Sequence, residues 1–272
     1  MEKTVRLLVG KVLAGVFVIN FSSCNGGPEQ PPPPPPPAPE TLNFSIIKTY
    51  PHDTSSFTEG LLIYKGSLYE SSGDPDYTGK SRLLKINLNS EKVEKQVNLD
   101  KKYFGEGISI IRDTIYQLTY KEHVGFVYTL DFKKVREFTY DLAEGWGMTT
   151  DGTNLIVSDG TSDLYYFEPS TFRLLKKITV TDTGVLSFNV NELEYIDGYI
   201  YANQWQYPYI LKIDPASGRV VAKANLDSLT EKIKMTDPHA DYLNGIAYDS
   251  ATKKIYITGK RWQELYEVQF SK

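Results

Sequence analysis

Residues 189–206, Asn-Val-Asn-Glu-Leu-Glu-Tyr-Ile-Asp-Gly-Tyr-Ile-Tyr-Ala-Asn-Gln-Trp-Gln, contain the pattern that decides the fold. An alternating apolar run leads into the Asp-Gly pair at 197–198, and a second run rich in tyrosine follows. Asp-Gly between two alternating runs is a strong hairpin signal. Asn191 and Glu192 open the first predicted strand and Trp205 closes the second. Polar and aromatic side chains are therefore expected together at one rim of a sheet.

The same order of motifs recurs along the chain with a period of roughly 40 to 50 residues, which is the length of a β-propeller blade. Each copy has four short strands, and the copies begin at Glu59-Gly60, Glu106-Gly107, Trp146-Gly147, Asn191-Glu192 and Asn244-Gly245. The last copy lacks its fourth strand, and residues 44–50 form an unassigned strand of suitable length. We predict an all-β, five-bladed β-propeller whose last blade is closed by the N-terminal strand. A β-sandwich would leave the repeats and the spare strand unexplained.

In a propeller the first strand of each blade lines the central channel, so the residues that open these strands are expected to meet at one mouth. The ends of the second strands return to the same region. The set comprises Phe57, Glu59, Phe104, Glu106, Trp146, Asn191, Glu192 and Asn244 from the first strands, and Tyr120, Trp205 and Lys260 from the second. The repeat therefore predicts a shared pocket with carboxylates, an amide, a lysine and aromatic walls, although any single Glu-Gly could serve only a turn.

Composition narrows the class of protein. The 272 residues are enough for one large all-β domain or two small ones, and the net charge of −4 gives no reason to expect a nucleic-acid partner. The 20 tyrosines, with 12 Phe and 3 Trp, favour strands and aromatic-lined pockets. The three histidines are far apart in sequence, so a metal site could only use ligands from distant segments.

Residues 1–23 have the pattern of an export signal. Lys3, Arg6 and Lys11 precede an apolar run, residues 12–21, that is too short to span a membrane. Two serines then precede Cys24, the only cysteine, as in a bacterial lipoprotein cleavage box, so we predict lipidation at Cys24. The alternative is an ordinary secretory signal with an incidental cysteine.

Residues 24–42 are predicted to form a proline-rich tether. Seven consecutive prolines occupy residues 31–37, and polyproline forms a stiff, extended spacer. A proline-rich partner-binding motif is the alternative. Lipid, spacer and a folded domain over residues 43–272 together predict an exported protein in the cell envelope, in the periplasm or at the cell surface, anchored to the membrane through Cys24.

Seven motifs together resemble those of the plant and bacterial type of glutaminyl-peptide cyclotransferase. They are Phe57-Thr58-Glu59-Gly60-Leu61, Phe104-Gly105-Glu106-Gly107, Gly145-Trp146-Gly147-Met148, Asn191-Glu192-Leu193-Glu194-Tyr195, Asn203-Gln204-Trp205-Gln206, Leu243-Asn244-Gly245-Ile246-Ala247 and Thr258-Gly259-Lys260. The resemblance extends over residues 44–270. It implies a five-bladed propeller and an acyltransferase that cyclises the N-terminal glutamine of a peptide or protein to pyroglutamate and releases ammonia.

The resemblance also implies roles for particular residues. Glu106 is expected to act as the acid and base, while Lys260 and Asn191 orient and stabilise the substrate amide. Trp146 and Trp205 correspond to aromatic walls of the substrate site, with Phe57, Phe104, Glu59 and Tyr120 beside them. Plant members have Gln at the position of Glu59 and Trp at the position of Tyr120. Glu59 could assist catalysis or form only a salt bridge, and the two departures leave the pH optimum and the substrate preference open.

The resemblance implies an enzyme that needs no cofactor and that we expect to be a monomer. The plant-type fold is also known for a bound calcium ion, but no calcium loop of the EF-hand type is present in the sequence, and the metal stays unknown. Two other functions remain open, because a fold alone does not determine an activity. The first is a non-catalytic propeller that binds peptides or glycans, and the second is a different hydrolase or lyase that uses the same channel.

Overall fold

The computed structural model describes residues 36–271, and these residues form an all-β protein with a single helix. The strands up to the middle of the chain are β1 (Glu40–Pro51), β2 (Phe57–Tyr64), β3 (Ser67–Gly73), β4 (Arg82–Asn87), β5 (Lys92–Asn98), β6 (Gly105–Ile111), β7 (Thr114–Thr119), β8 (Val124–Thr129), β9 (Lys134–Thr139), β10 (Met148–Thr150) and β11 (Leu155–Ser158). The remaining elements are β12 (Asp163–Glu168), β13 (Arg173–Thr179), β14 (Thr181–Asp182), β15 (Val185–Leu186), β16 (Val190–Ile196), β17 (Tyr199–Gln204), β18 (Tyr209–Ile213), β19 (Val220–Asn225), α1 (Asp227–Thr236), β20 (Leu243–Asp249), β21 (Lys254–Gly259) and β22 (Glu264–Ser271).

The strands form antiparallel meanders that follow the sequence repeats. Strands β2–β5, β6–β9 and β10–β13 each make a separate four-stranded sheet. Strands β16–β19 and β20–β22 belong to one eight-stranded sheet, in which β1 lies between β19 and β22. Strands β14 and β15 form a small separate hairpin that the repeat pattern does not predict.

The first strand joins the two ends of the described chain. Residues Asn43 to Pro51 of β1 pair antiparallel with β22, as the unassigned strand at 44–50 predicts. The strand begins earlier than expected, because Glu40, Thr41 and Leu42 pair in parallel with β19. Leu42 is buried there. The end of the predicted tether therefore lies inside β1, and the folded part begins at Glu40.

The first strands of the meanders are mostly buried, whereas the fourth strands β5, β9 and β13 are mostly exposed. Every residue of β6 is buried, whereas β5, rich in lysine, is mostly exposed. The first strands contact one another in cyclic order, β2 with β6, β6 with β10, β10 with β16, β16 with β20 and β20 with β2. A hydrophobic cluster that includes Leu61, Leu68, Ala247 and Leu265 joins the first meander to the last. The inner strands consequently surround a common centre.

Helix α1 interrupts the repeat between the fourth and fifth meanders. Asn225 Oδ1 accepts a hydrogen bond of 2.8 Å from the Asp227 backbone N–H at the start of the helix. Leu229 and Ile233, four residues apart, are buried on one face. The strand periodicity of the repeats does not predict this helix.

Candidate active site

The predicted site residues lie at irregularities in the first strands. The pairing of β2 with β3 shifts at Glu59, and the pairing of β6 with β7 shifts between Gly105 and Ile108, where Glu106 lies. The pairing of β16 with β17 shifts in the same way around Asn191. Such bulges redirect side chains and are frequent next to active sites. They turn these polar side chains out of the regular alternation.

Glycine follows the acid in these motifs because the inner strands approach one another closely. A Cβ on Gly60 would lie 2.7 Å from Ile108 N, and one on Gly107 would lie 2.5 Å from Trp146 O. Gly107 N–H donates a hydrogen bond of 2.7 Å to Trp146 O. Close approach of strands, rather than a turn, therefore explains the Glu-Gly pairs at these positions.

A cavity of about 580 Å³ lies where these first strands begin. All nine predicted catalytic and substrate-binding residues line it, namely Phe57, Glu59, Phe104, Glu106, Tyr120, Trp146, Asn191, Trp205 and Lys260. Sequence reasoning missed its other lining residues, which are Pro75, Tyr77, Glu144, Asp159, Gly160, Thr161, Asn189, Asp241 and Tyr242. These lie mostly in loops outside the repeat, so strand periodicity gave no signal for them.

Lys260 and Glu59 form a buried ion pair in the wall of the cavity. Lys260 Nζ lies 2.7 Å from Glu59 Oε1, and both side chains are less than a tenth exposed. Asn244 Nδ2 donates a hydrogen bond of 3.1 Å to Glu59 Oε2, so both carboxylate oxygens are bound. Burial raises the pKa of Glu59 to about 7, and Lys260 opposes this shift. Lys260 also lies over the Phe57 ring, with Nζ 4.6 Å from its centroid.

Glu106 is a buried carboxyl with an unused oxygen. It is 4% exposed, and Oε2 has no hydrogen-bond partner among the described residues. Burial raises the pKa of Glu106 well above its usual range, and the neighbouring Glu59 carboxylate raises it further. Asn191 is equally buried, and its Oδ1 is also without a partner in the described structure. Two buried, unsatisfied acceptors in one cavity indicate a site prepared for a ligand that donates hydrogen bonds.

Aromatic rings form two walls of the cavity. On one side Phe57 and Phe104 meet edge to face with centroids 6.1 Å apart, and Tyr120 lies 5.7 Å from Phe104. On the other side Trp146 and Trp205 meet edge to face at 5.6 Å. Apolar walls of this kind keep water away from the carboxyl groups and hold a short side chain in place.

Glu144 fixes the position of Trp146. Its Oε2 accepts a hydrogen bond of 2.8 Å from Trp146 Nε1, and its Oε1 lies 3.1 Å from Lys121 Nζ. Gly160 allows the indole to lie flat beside it, because a Cβ there would come within 2.5 Å of the Trp146 ring. The orientation of this wall is therefore set by residues that the repeat pattern did not indicate.

Glu192, which was expected near the mouth, does not line the cavity. Its carboxylate accepts backbone hydrogen bonds from Leu61 N–H at 3.2 Å and from Ile246 N–H at 2.8 Å. Glu194 binds Tyr248 N–H at 2.9 Å in the same manner. Both acids tie β16 to neighbouring inner strands and act as structural residues. Asn244, also expected at the mouth, supports Glu59 from behind the cavity wall.

Cys24 and the signal lie outside the described residues. Within residues 36–271 no group of three or more His, Cys, Asp or Glu side chains is placed to hold a metal ion. The one described helix is neither long nor apolar enough to cross a membrane.

The fold and the cavity define an all-β protein with a buried acid, an amide and a lysine between aromatic walls. Residues 16–270 match the family model described as glutamine cyclotransferase. The chain belongs to this family. It is 37% identical over 262 residues to the glutaminyl-peptide cyclotransferase of Arabidopsis thaliana, covering 95% of this chain and 81% of that protein. The crystal structure of Myxococcus xanthus glutaminyl cyclase matches with a TM-score of 0.78 and 34% identity, over 86% of this chain and 98% of that one.

Proposed function

We propose that this protein is a glutaminyl-peptide cyclotransferase, which converts the N-terminal glutamine of peptides and proteins to pyroglutamate and releases ammonia. Family membership supports the reaction, and one structural observation carries its assignment to the cavity. This observation is the buried Glu106, whose unpartnered oxygen lies in one cavity with Asn191 and Lys260. A substrate amine and amide would supply the hydrogen-bond donors that Glu106 Oε2 and Asn191 Oδ1 lack.

The reaction is intramolecular, so the cavity has to fold the substrate and move one proton. The α-amine nitrogen attacks the side-chain amide carbon, and the C–N bond of the ring forms. The Glu106 carboxylate takes a proton from the attacking nitrogen and returns it to the amide nitrogen, which leaves as ammonia when the second C–N bond breaks. One carboxyl group can serve both steps. Holding the reacting atoms together supplies much of the acceleration in reactions of this kind.

The tetrahedral intermediate carries a negative oxygen, for which the cavity contains donors. The Lys260 ammonium is held by Glu59 and has further N–H bonds to offer. The Asn191 side chain can donate to the same oxygen or accept from the leaving amide through Oδ1. The Phe57–Phe104 and Trp146–Trp205 pairs would keep the glutamine side chain curled and exclude water.

We further propose that the meanders form a five-bladed propeller, with β1 as the outer strand of the last blade. The cyclic contacts of the first strands and the pairing of β1 with β22 support this arrangement. For the residues before β1, we propose the layout read from the sequence: a lipoprotein-type signal, lipidation at Cys24 and a tether to the cell envelope. The reaction as written needs no cofactor, and a monomer contains every proposed site residue.

The test is conversion of a Gln-initiated peptide by the purified full-length protein, followed by mass spectrometry and ammonia release. Equimolar ammonia and pyroglutamyl peptide are expected. The matched control is the same peptide acetylated at its α-amine, which lacks the nucleophile and should not react. A protein that binds the free peptide without converting it would support the non-catalytic propeller instead.

A further inference from the structure

A second hollow adjoins the cavity beside helix α1. It has a volume of about 290 Å³, and Asp241 and Tyr242 line both it and the cavity. The hollow also contacts Asp227 and Glu231 of α1. A peptide whose first residue occupies the cavity must leave it along some path, and this hollow offers one.

Aromatic rings connect the cavity to the hollow. Trp205 meets Trp146 edge to face on the cavity side and lies 6.0 Å from the Tyr242 ring on the other side. Tyr242 then borders the hollow together with Tyr207. A continuous aromatic surface of this kind suits the flat peptide groups of an extended chain.

The hollow is acidic, and its charges are not neutralised. It contains Asp227, Glu231 and Asp241 against one cation, Lys234. Within residues 36–271 none of the three carboxylates forms an ion pair, and Lys234 Nζ lies over the Tyr242 ring, 5.4 Å from its centroid. Glu59 and Glu144, which line the cavity, are by contrast each paired with a lysine.

Asp241 is held in place by its backbone. Its N–H donates a hydrogen bond of 2.9 Å to Lys260 O, and its carbonyl accepts one of 2.9 Å from Trp262 Nε1. Asp241 Oδ1 accepts a hydrogen bond of 2.8 Å from Tyr242 N–H, and the structure assigns no partner to Oδ2 among the described residues. The carboxylate is thus positioned before any substrate arrives, which limits the entropy lost on binding.

Asp241 lies beside the Glu59–Lys260 pair but is less buried than the unpartnered acceptors. Glu106 and Asn191 are buried with unpartnered oxygens, whereas Asp241 is half-buried. A glutamine that reaches the buried acceptors places the next residue near Asp241. Resting on the proposed function, we propose that Asp241 selects the residue after glutamine, and that the enzyme favours substrates with Lys or Arg at that position.

Another hollow, of about 370 Å³, adjoins the cavity at Phe57 and Pro75. Its three acids, Asp74, Asp76 and Asp237, face two cations, Lys80 and Arg261. Asp74 Oδ2 also already accepts hydrogen bonds from the backbone N–H groups of Thr78 and Lys80. Arg261 lies at this side, over the Phe57 ring. A basic residue of the substrate would gain less here than beside α1.

The test compares kcat/KM for three peptides that differ only in Lys, Ala or Glu after the N-terminal glutamine. The wild type is expected to prefer Lys to Glu, and Asp241→Asn should reduce this ratio by about fivefold, which is the upper range for a partly exposed charge pair. The preference should also weaken at high salt. The matched control is Asp237→Asn, which removes the same charge from a residue that also binds a backbone N–H, His239 N–H at 2.9 Å, but lines only the other hollow.

The outcomes separate this inference from the proposed function. No conversion of any Gln peptide would contradict the function itself. An equal loss on all three peptides in Asp241→Asn would place Asp241 at the glutamine and overturn the proposed preference. A change in the ratio with Asp237→Asn alone would move the substrate path to the other hollow, and an unchanged ratio in both variants would show that neither acid selects the second residue.

Discussion

Lys260 Nζ lies 2.7 Å from Glu59 Oε1, so a buried ion pair joins the turn directly after β21 in the last meander to β2 in the first. The two residues are 201 positions apart. The position of Lys260 in the cavity therefore depends on closure between the ends of the described chain. A change that loosens β1 or β22 should affect the site as well as the fold.

Glu59→Gln should move the acidic limb of the pH profile of kcat/KM to lower pH. The Glu59 carboxylate raises the pKa of Glu106, so removing this charge lowers it. The base form of Glu106 then persists to lower pH. The pH profile of kcat/KM shows this shift because it reports the pKa values of the free enzyme. Glu91→Gln, which changes an exposed acid in the turn between β4 and β5, is the control. An acidic limb that stays in place or rises would contradict the coupling.

Lys260→Met should destabilise the protein more at pH 8 than at pH 5.5. Without its partner, Glu59 is a buried charge at high pH, at a cost of about 3 kcal/mol, but it can take up a proton at low pH because its pKa is already raised to about 7. Denaturant unfolding at both pH values measures the difference. The double variant Glu59→Gln/Lys260→Met should recover most of the stability and none of the activity. Recovery of activity would show that the lysine serves only the fold.

Gly160→Ala should impair catalysis by displacing Trp146. The new Cβ would lie 2.5 Å from the indole ring, whereas a Cβ at Gly152 would contact nothing within 4 Å. Both glycines have positive φ, +79° and +87°, so each alanine variant should lose about 1 kcal/mol of stability. Only Gly160→Ala should raise KM and change the tryptophan fluorescence. Equal kinetics in the two variants would exclude a role for the orientation of Trp146.

Glu194→Gln should flatten the pH dependence of stability above pH 6. Burial raises the pKa of Glu194 to about 8, above the usual value of 4.5. The contribution of Glu194 to the free energy of unfolding is complete below the unfolded pKa and is lost as pH rises towards 8. The loss is about 1.4 kcal/mol per pH unit in the range where the folded state holds the proton and the unfolded state does not. The slope of unfolding free energy between pH 6 and 7.5 should decrease by this amount. An unchanged slope would show that Glu194 is ionised in the folded protein.

The repeat made most of the fold and much of the site predictable. Four-strand periodicity and the Glu-Gly or Asn-Glu starts are sufficient to place Glu59, Glu106 and Asn191 together. The spare strand at 44–50 could be assigned because one repeat was short of a strand. The pairing of residues Glu40 to Leu42 with β19 could not be predicted, because a short polar segment after a proline run has little periodicity.

The loop residues were beyond the reach of this reasoning. Asp241, Tyr242 and Glu144 lie outside the strands, and their places depend on tertiary hydrogen bonds such as Trp262 Nε1 to Asp241 O. Asn191 lines the cavity and Glu192 binds neighbouring strands, and this difference was also not predictable. A bulge decides which of these two adjacent polar side chains enters the cavity. Strand alternation does not define side-chain direction at a bulge.

The rate of pyroglutamate formation by Glu106→Gln, compared with wild type on the same Gln-initiated peptide, tests the central claim most directly. The variant keeps the shape of the side chain but cannot exchange a proton, so we expect a loss of about 10²- to 10⁴-fold in kcat, with an unfolding temperature at least as high as that of the wild type, because a buried acid has been replaced by a neutral amide. A folded variant with near-wild-type turnover would contradict the assignment of Glu106 as the group that moves the proton.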